Sequence, residues 1–102
     1  MKAQMFNFRF WERETDPLKL RKKYNSILES SNFKVLKKVY HYFEPYGFTG
    51  LFLLSESHLA IHTFPEENKT YVELSSCVER QFNNFMQKLK DYDIEIIELL
   101  ND

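Results

Sequence analysis

The chain has 102 residues, with 14 basic against 15 acidic side chains and a formal charge of −1, so it lacks the basic surplus that draws a protein to nucleic acid or to an anionic membrane. Its length fits a single domain over 1–102, and 43% hydrophobic with 28% charged residues is the composition of a soluble globular protein. One cysteine, Cys77, excludes an internal disulfide, and no apolar run reaches signal-peptide or membrane-helix length, so a cytoplasmic protein is expected.

Residues 5–12 predict a strand, because Phe6, Phe8 and Phe10 alternate with Asn7 and Arg9. Asp16-Pro17 reads as an N-cap followed by proline at the first helical position. The helix should run to about Ser30, burying Leu20, Tyr24, Ile27 and Leu28, and Asn32 follows its end. Its basic run, Lys19, Arg21, Lys22 and Lys23, reads as a solvated face. A second strand is predicted over 33–43, with Phe33, Val35, Val39 and Phe43 sharing one parity. Pro45-Tyr46-Gly47 is a turn. A third strand, 49–55, is apolar at both parities through Leu51, Phe52, Leu53 and Leu54, as expected where both sheet faces are covered. A fourth strand over 58–64 ends at Pro65, a polar turn follows at 66–69, and a fifth strand covers 70–77. The second helix spans 79–92 on Phe82, Phe85, Met86 and Leu89, and a last strand covers 94–100.

The order β-α-β-β-β-β-α-β, with short links between the central strands, predicts a mostly antiparallel sheet. Two amphipathic helices cover one face of it, giving an α+β two-layer sandwich. A second copy packing sheet to sheet would cover the other face, so a homodimer is expected.

Residues 54–66 gather two serines, two histidines and carboxylates around a strand junction, and Cys77 ends the next strand. With the fourth and fifth strands joined near 65–69, positions 62 and 77 could approach and bring a hydroxyl, an imidazole and a thiol together. The same residues also suit plainer roles: Ser55 and Ser57 as turn residues, His58 and His62 as satisfied imidazoles, Cys77 as a small apolar filler. His58 and His62 lie about 13 Å apart along a strand, too far for one metal, so no metal site is expected. A Gly-x-Ser-x-Gly hydrolase elbow is absent.

Ser55-Glu56-Ser57-His58, then His62-Thr63, Pro65-Glu66 and Cys77, all preceded by Phe43-x-Pro45-Tyr46-Gly47, resemble the small prokaryotic S-adenosylmethionine decarboxylase family over roughly residues 41–77. The resemblance implies self-cleavage between Glu56 and Ser57 and a pyruvoyl cofactor made from Ser57. Processed two-chain protomers would then decarboxylate S-adenosylmethionine through a Schiff base, supplying the aminopropyl donor for spermidine. It assigns His62, with Thr49 and Ser55 in support, to processing, and Cys77 to protonation of the product carbon. An ordinary thiol, with a pKa near 8.5, is protonated at neutral pH and can serve as that acid. Phe43, Leu59, Phe64 and Glu66 fall at substrate-binding positions, Phe43 stacking on adenine and Glu66 holding the ribose.

Several positions depart from the family pattern. Phe64 stands for a tryptophan and Val78 for a glycine, while Glu73, Ser75 and Ser76 replace an aspartate, an aromatic residue and a threonine. The first strand lacks the usual His-Leu start. These changes touch the pocket, so a plain amino acid such as ornithine or arginine is the alternative substrate, favoured if Arg9, Glu12 or Glu14 faces the pocket. An unprocessed, non-enzymatic relative is the other alternative.

Overall fold

The computed structural model describes residues 3–101. Its strands are β1 (Phe6–Glu12), β2 (Val35–Tyr42), β3 (Phe48–Leu54), β4 (Ser57–Phe64), β5 (Lys69–Ser76) and β6 (Ile94–Asn101). Helix α1 (Pro17–Ser30) follows β1, α2 (Glu79–Lys88) follows β5, and a 3-10 turn at Pro65–Glu67 joins β4 to β5. The strands form one six-stranded sheet in the order β2-β3-β4-β5-β1-β6, and every pairing is antiparallel. The predicted element order and fold class are the observed ones.

One core lies between the sheet and the two helices. Phe6, Phe8 and Phe10 of β1, Phe52 and Leu54 of β3, Leu59 and Ile61 of β4, and Val72 and Leu74 of β5 meet Leu20, Tyr24 and Leu28 of α1 and Phe82 and Phe85 of α2. Period-2 alternation places each strand's apolar set on this face. Asp16 caps α1 by accepting the Lys19 N–H at 3.0 Å, with Pro17 entering the first turn as predicted. The helix ends in a Schellman motif. Asn32 takes φ 70°, its N–H donates to Glu29, and the Phe33 N–H donates to Leu28, both at 3.0 Å. Phe33 therefore closes the helix inside the core, and β2 begins two residues later than expected. Under α1, the buried Glu12 carboxylate accepts from the Tyr24 hydroxyl and pairs with Lys23 Nζ at 3.0 Å.

The predicted single parity of the second strand is corrected by a bulge. Val35 pairs with Leu54 but Lys37 pairs with Leu53, so the extra residue moves Val39 to the face away from the helices, where it is 59% exposed. That far face has no helix over it. Leu51 and Leu53 of β3 point there and are 45% and 49% exposed, which accounts for the two-sided apolar pattern of this strand. Helix α2 ends at Lys88, short of the predicted 92, and β5 ends at Ser76, leaving Cys77 outside the ladder.

Replacing Phe10, which is fully buried, with alanine should cost about 3–5 kcal/mol in urea unfolding. Leu18→Ala on the exposed side of α1 should stay within about 0.5 kcal/mol. A larger loss at Leu18 than at Phe10 would contradict the placement of the core.

Candidate active site

Two residues, Ser55 and Glu56, turn the chain from β3 into β4, with Leu54 pairing Ser57. Ser55 is exposed and its N–H donates to the Lys34 carbonyl at 3.0 Å. Glu56 adopts φ 68°, a left-handed conformation that costs a non-glycine residue about 1–2 kcal/mol and that clusters at functional sites. Ser57 opens β4 with its side chain on the helix-covered face, 8% exposed. Its Oγ donates to Ser76 Oγ at 2.9 Å. The exposed Cys77 lies just beyond β5, and its Sγ donates to the Glu56 carbonyl at 2.7 Å. Strand pairing thus brings Glu56, Ser57, Ser76 and Cys77 together at one end of the sheet.

The remaining candidates sit elsewhere. Thr49 and His62 pair across β3 and β4 on the uncovered face, with Thr49 Oγ1 and His62 Nδ1 3.1 Å apart. The His62 ring lies 6.0 Å from that of Tyr71, and Trp11 stands edge-on to both Tyr71 and Phe64. Phe43, half exposed, projects from the β2–β3 turn, whose Gly47 supplies φ 119° and whose carbonyl accepts the Phe43 N–H at 2.9 Å. Phe43, Tyr42, Tyr46 and Glu44 line a cleft of about 550 Å³ with Glu14 and Thr63. Glu66 is exposed in the 3-10 turn beside it. Leu59 is fully buried in the core, so its side chain lines no open pocket.

The expected approach of positions 62 and 77 is therefore corrected. Register pairs His62 with Tyr71 and Ser57 with Ser76, so the imidazole sits five residues, about 16 Å, along β4 from Ser57 and on the opposite face. Within one protomer the hydroxyl and the thiol converge and the imidazole does not. Of the residues named for a plain amino-acid pocket, Glu12 is buried under α1, whereas Glu14 lines the Phe43 cleft while accepting the N–H groups of Thr15 and Asp16. Arg9 bonds Tyr71 at 3.4 Å and Glu98 at 3.1 Å on the uncovered face.

Burial lifts the Tyr71 hydroxyl above the usual phenol range, helped by its 2.5 Å bond to Glu73 and opposed by Arg9. The Arg9 guanidinium is in turn pushed up, first by its bond to Tyr71. Tyr71 thus stays a neutral donor beside His62. Ser76 was marked in the sequence only as a replacement for a threonine, because its place opposite Ser57 depends on register. Among the described residues no cluster of three or more His, Cys, Asp and Glu could hold a metal ion, and no helix is long and apolar enough to cross a membrane.

Comparison with known proteins bears on this arrangement. The family model of S-adenosylmethionine decarboxylase matches residues 11–98. An S-adenosylmethionine decarboxylase proenzyme of Archaeoglobus fulgidus is 33% identical over 69 residues, covering 63% of this chain and 62% of that protein. One of Thermotoga maritima is 33% identical over 73 residues, covering 67% and 56%. The chain thus spans about three-fifths of the length of these curated relatives. In fold it is similar to the crystal structure of the adenosylmethionine decarboxylase from Aquifex aeolicus, with a TM-score of 0.66, 23% identity and coverage of 96% of this chain and 92% of that one. With 11–98 matched by the family model, the chain belongs to the S-adenosylmethionine decarboxylase family.

Proposed function

We propose that this chain cleaves itself between Glu56 and Ser57, converts Ser57 to a pyruvoyl group and decarboxylates S-adenosylmethionine, providing the aminopropyl donor for spermidine. The observation that carries the reading is the grouping at the β3–β4 turn. A left-handed Glu56 presents its carbonyl to the Cys77 thiol, and the Ser57 hydroxyl sits on the next residue, itself hydrogen-bonded. Serinolysis needs a strained peptide, a polarised carbonyl and an oriented nucleophile, and each has a counterpart here. A pyruvoyl group at this position would lie at the mouth of the β4–β5 pair with Cys77 beside it. When present, such a group supplies an electrophilic carbonyl that takes up the substrate amine and draws electrons as carbon dioxide leaves. The exposed Cys77 thiol would return a proton to the product carbon, Phe43 would stack on the adenine and Glu66 would accept from the ribose.

A second copy belongs to the reading. Thr49 and His62, assigned to processing, lie about 16 Å from Ser57. The uncovered face that carries them also bears exposed Val39, Leu51 and Leu53. A two-fold axis between two such faces, running across the strands, would lay the His62 end of one copy over the Ser57 end of the other. The homodimer would thereby bury the apolar residues and bring the partner's His62 to the end of the sheet that carries Glu56 and Cys77.

Intact mass under denaturing conditions should show two fragments meeting at Glu56/Ser57, and Ser57→Ala should remain a folded, full-length, inactive chain. A single full-length species in aged wild-type protein would sink the reading. Carbon dioxide should be released from S-adenosylmethionine and not from ornithine or arginine; the reverse preference would move the substrate to a plain amino acid. Cys77→Ala should still cleave, more slowly for want of the thiol on the Glu56 carbonyl, and turn over about a hundredfold more slowly, and unchanged turnover would assign the proton to another acid. Co-expressing Ser57→Ala with His62→Ala chains should restore cleavage of the latter, whereas persistent full-length protein would place processing within one protomer.

A further inference from the structure

We infer that Ser76 is a positioning residue for the Ser57 hydroxyl, an assignment that rests on the self-cleaving reading above. Ser76 is fully buried at the end of β5, directly across the ladder from Ser57. Its Oγ accepts the Ser57 hydroxyl proton at 2.9 Å and the Val78 N–H at 3.1 Å, and its own hydroxyl reaches the Val78 carbonyl at 3.4 Å. A serine hydroxyl offers one proton and two acceptor sites, and all three are occupied here. Ser76 therefore cannot turn away without leaving a buried polar atom unpaired.

The consequence falls on Ser57. Its hydrogen points at Ser76, so the lone pairs of its oxygen are left for another partner. Cys77, the next residue, holds the Glu56 carbonyl. Two consecutive residues thus grip the two reacting groups, Ser76 the nucleophile and Cys77 the electrophile, and one peptide unit sets the spacing between the grips. In the step they serve, a bond forms between Ser57 Oγ and the Glu56 carbonyl carbon while the bond from that carbon to the Ser57 nitrogen breaks. The hydroxyl proton passes to the departing nitrogen. An ester and a free amine result, with no external reagent. Val78 N–H fixes Ser76 from behind, so the support reaches back to the entry of α2.

Cleavage can be followed by intact mass after fresh synthesis in wild type, Ser76→Ala, Ser76→Cys and Ser76→Thr, with thermal melting as the control for folding. Hydroxylamine serves as the probe for the ester, which it splits while leaving the peptide bond whole. Ser76→Ala and Ser76→Cys should slow cleavage about tenfold or more, the uncut chain should resist hydroxylamine, and Ser76→Thr, which keeps the hydroxyl, should restore most of the rate. The cysteine variant retains the buried volume if the alanine variant does not fold. Wild-type cleavage rates in both folded variants would overturn the inference. So would a stalled chain that hydroxylamine splits, since the attack would then precede the need for Ser76, and so would a threonine variant as slow as alanine. A wild-type chain that never cleaves would instead bring down the self-cleaving reading itself.

Discussion

The pairing of β4 with β5 is the constraint on which the rest depends. Leu59 against Leu74 and Ile61 against Val72 lock the two strands through the core. Burying such side chains contributes about 1.5–3 kcal/mol each, so a slip of one residue, which would throw the two of the slipped strand onto the uncovered face, is strongly disfavoured. Those pairs also determine what meets at the strand ends. With the register held, Ser57 must face Ser76, and Cys77 must emerge beside the Glu56 carbonyl. The left-handed Glu56 costs about 1–2 kcal/mol, less than any two of the core pairs return, so packing several residues away can sustain an unfavourable turn at the site.

The sheet separates chemistry by face as well as by end. Its helix side is closed by Phe and Leu residues and admits polar groups chiefly at its margins, at Ser57, Ser76 and the Glu12–Tyr24–Lys23 cluster. Its other side carries Thr49, His62, Tyr71, Arg9 and Glu98 in a hydrogen-bonded and stacked patchwork beside exposed Leu51 and Leu53. That mixture of ordered polar groups and exposed leucines lies on the face that the proposed homodimer would cover.

Most of the fold was legible in the sequence because its signals are local. Alternation in β1, the Asp16-Pro17 cap and the helical stripes of α1 and α2 each depend on a few neighbouring residues. The bulge after Val35 was not legible, since an extra residue leaves no compositional mark and reverses the parity of everything after it. The site divided in the same way. Glu56, Ser57 and Cys77 were found by motif and do converge. His62 belongs to the same motif, but its direction depends on strand parity: five residues from Ser57 is an odd step, so the two point to opposite faces. Ser76 stood out only as a departure from the family pattern, and the ladder alone reveals that it faces Ser57.

The place of β1 in the sheet has its own consequence. A break at Glu56/Ser57 divides the strands into β1, β2 and β3 on one piece and β4, β5 and β6 on the other, yet β1 lies between β5 and β6. The pieces interlock through three ladders, β3 with β4, β5 with β1 and β1 with β6, and they share one core. Severing the turn therefore leaves the body intact while changing the order of its unfolding reaction. An unbroken chain unfolds into one piece, but a broken one comes apart into two, so its melting temperature would depend more steeply on protein concentration. Mass action, rather than chain connectivity, would then hold the molecule together.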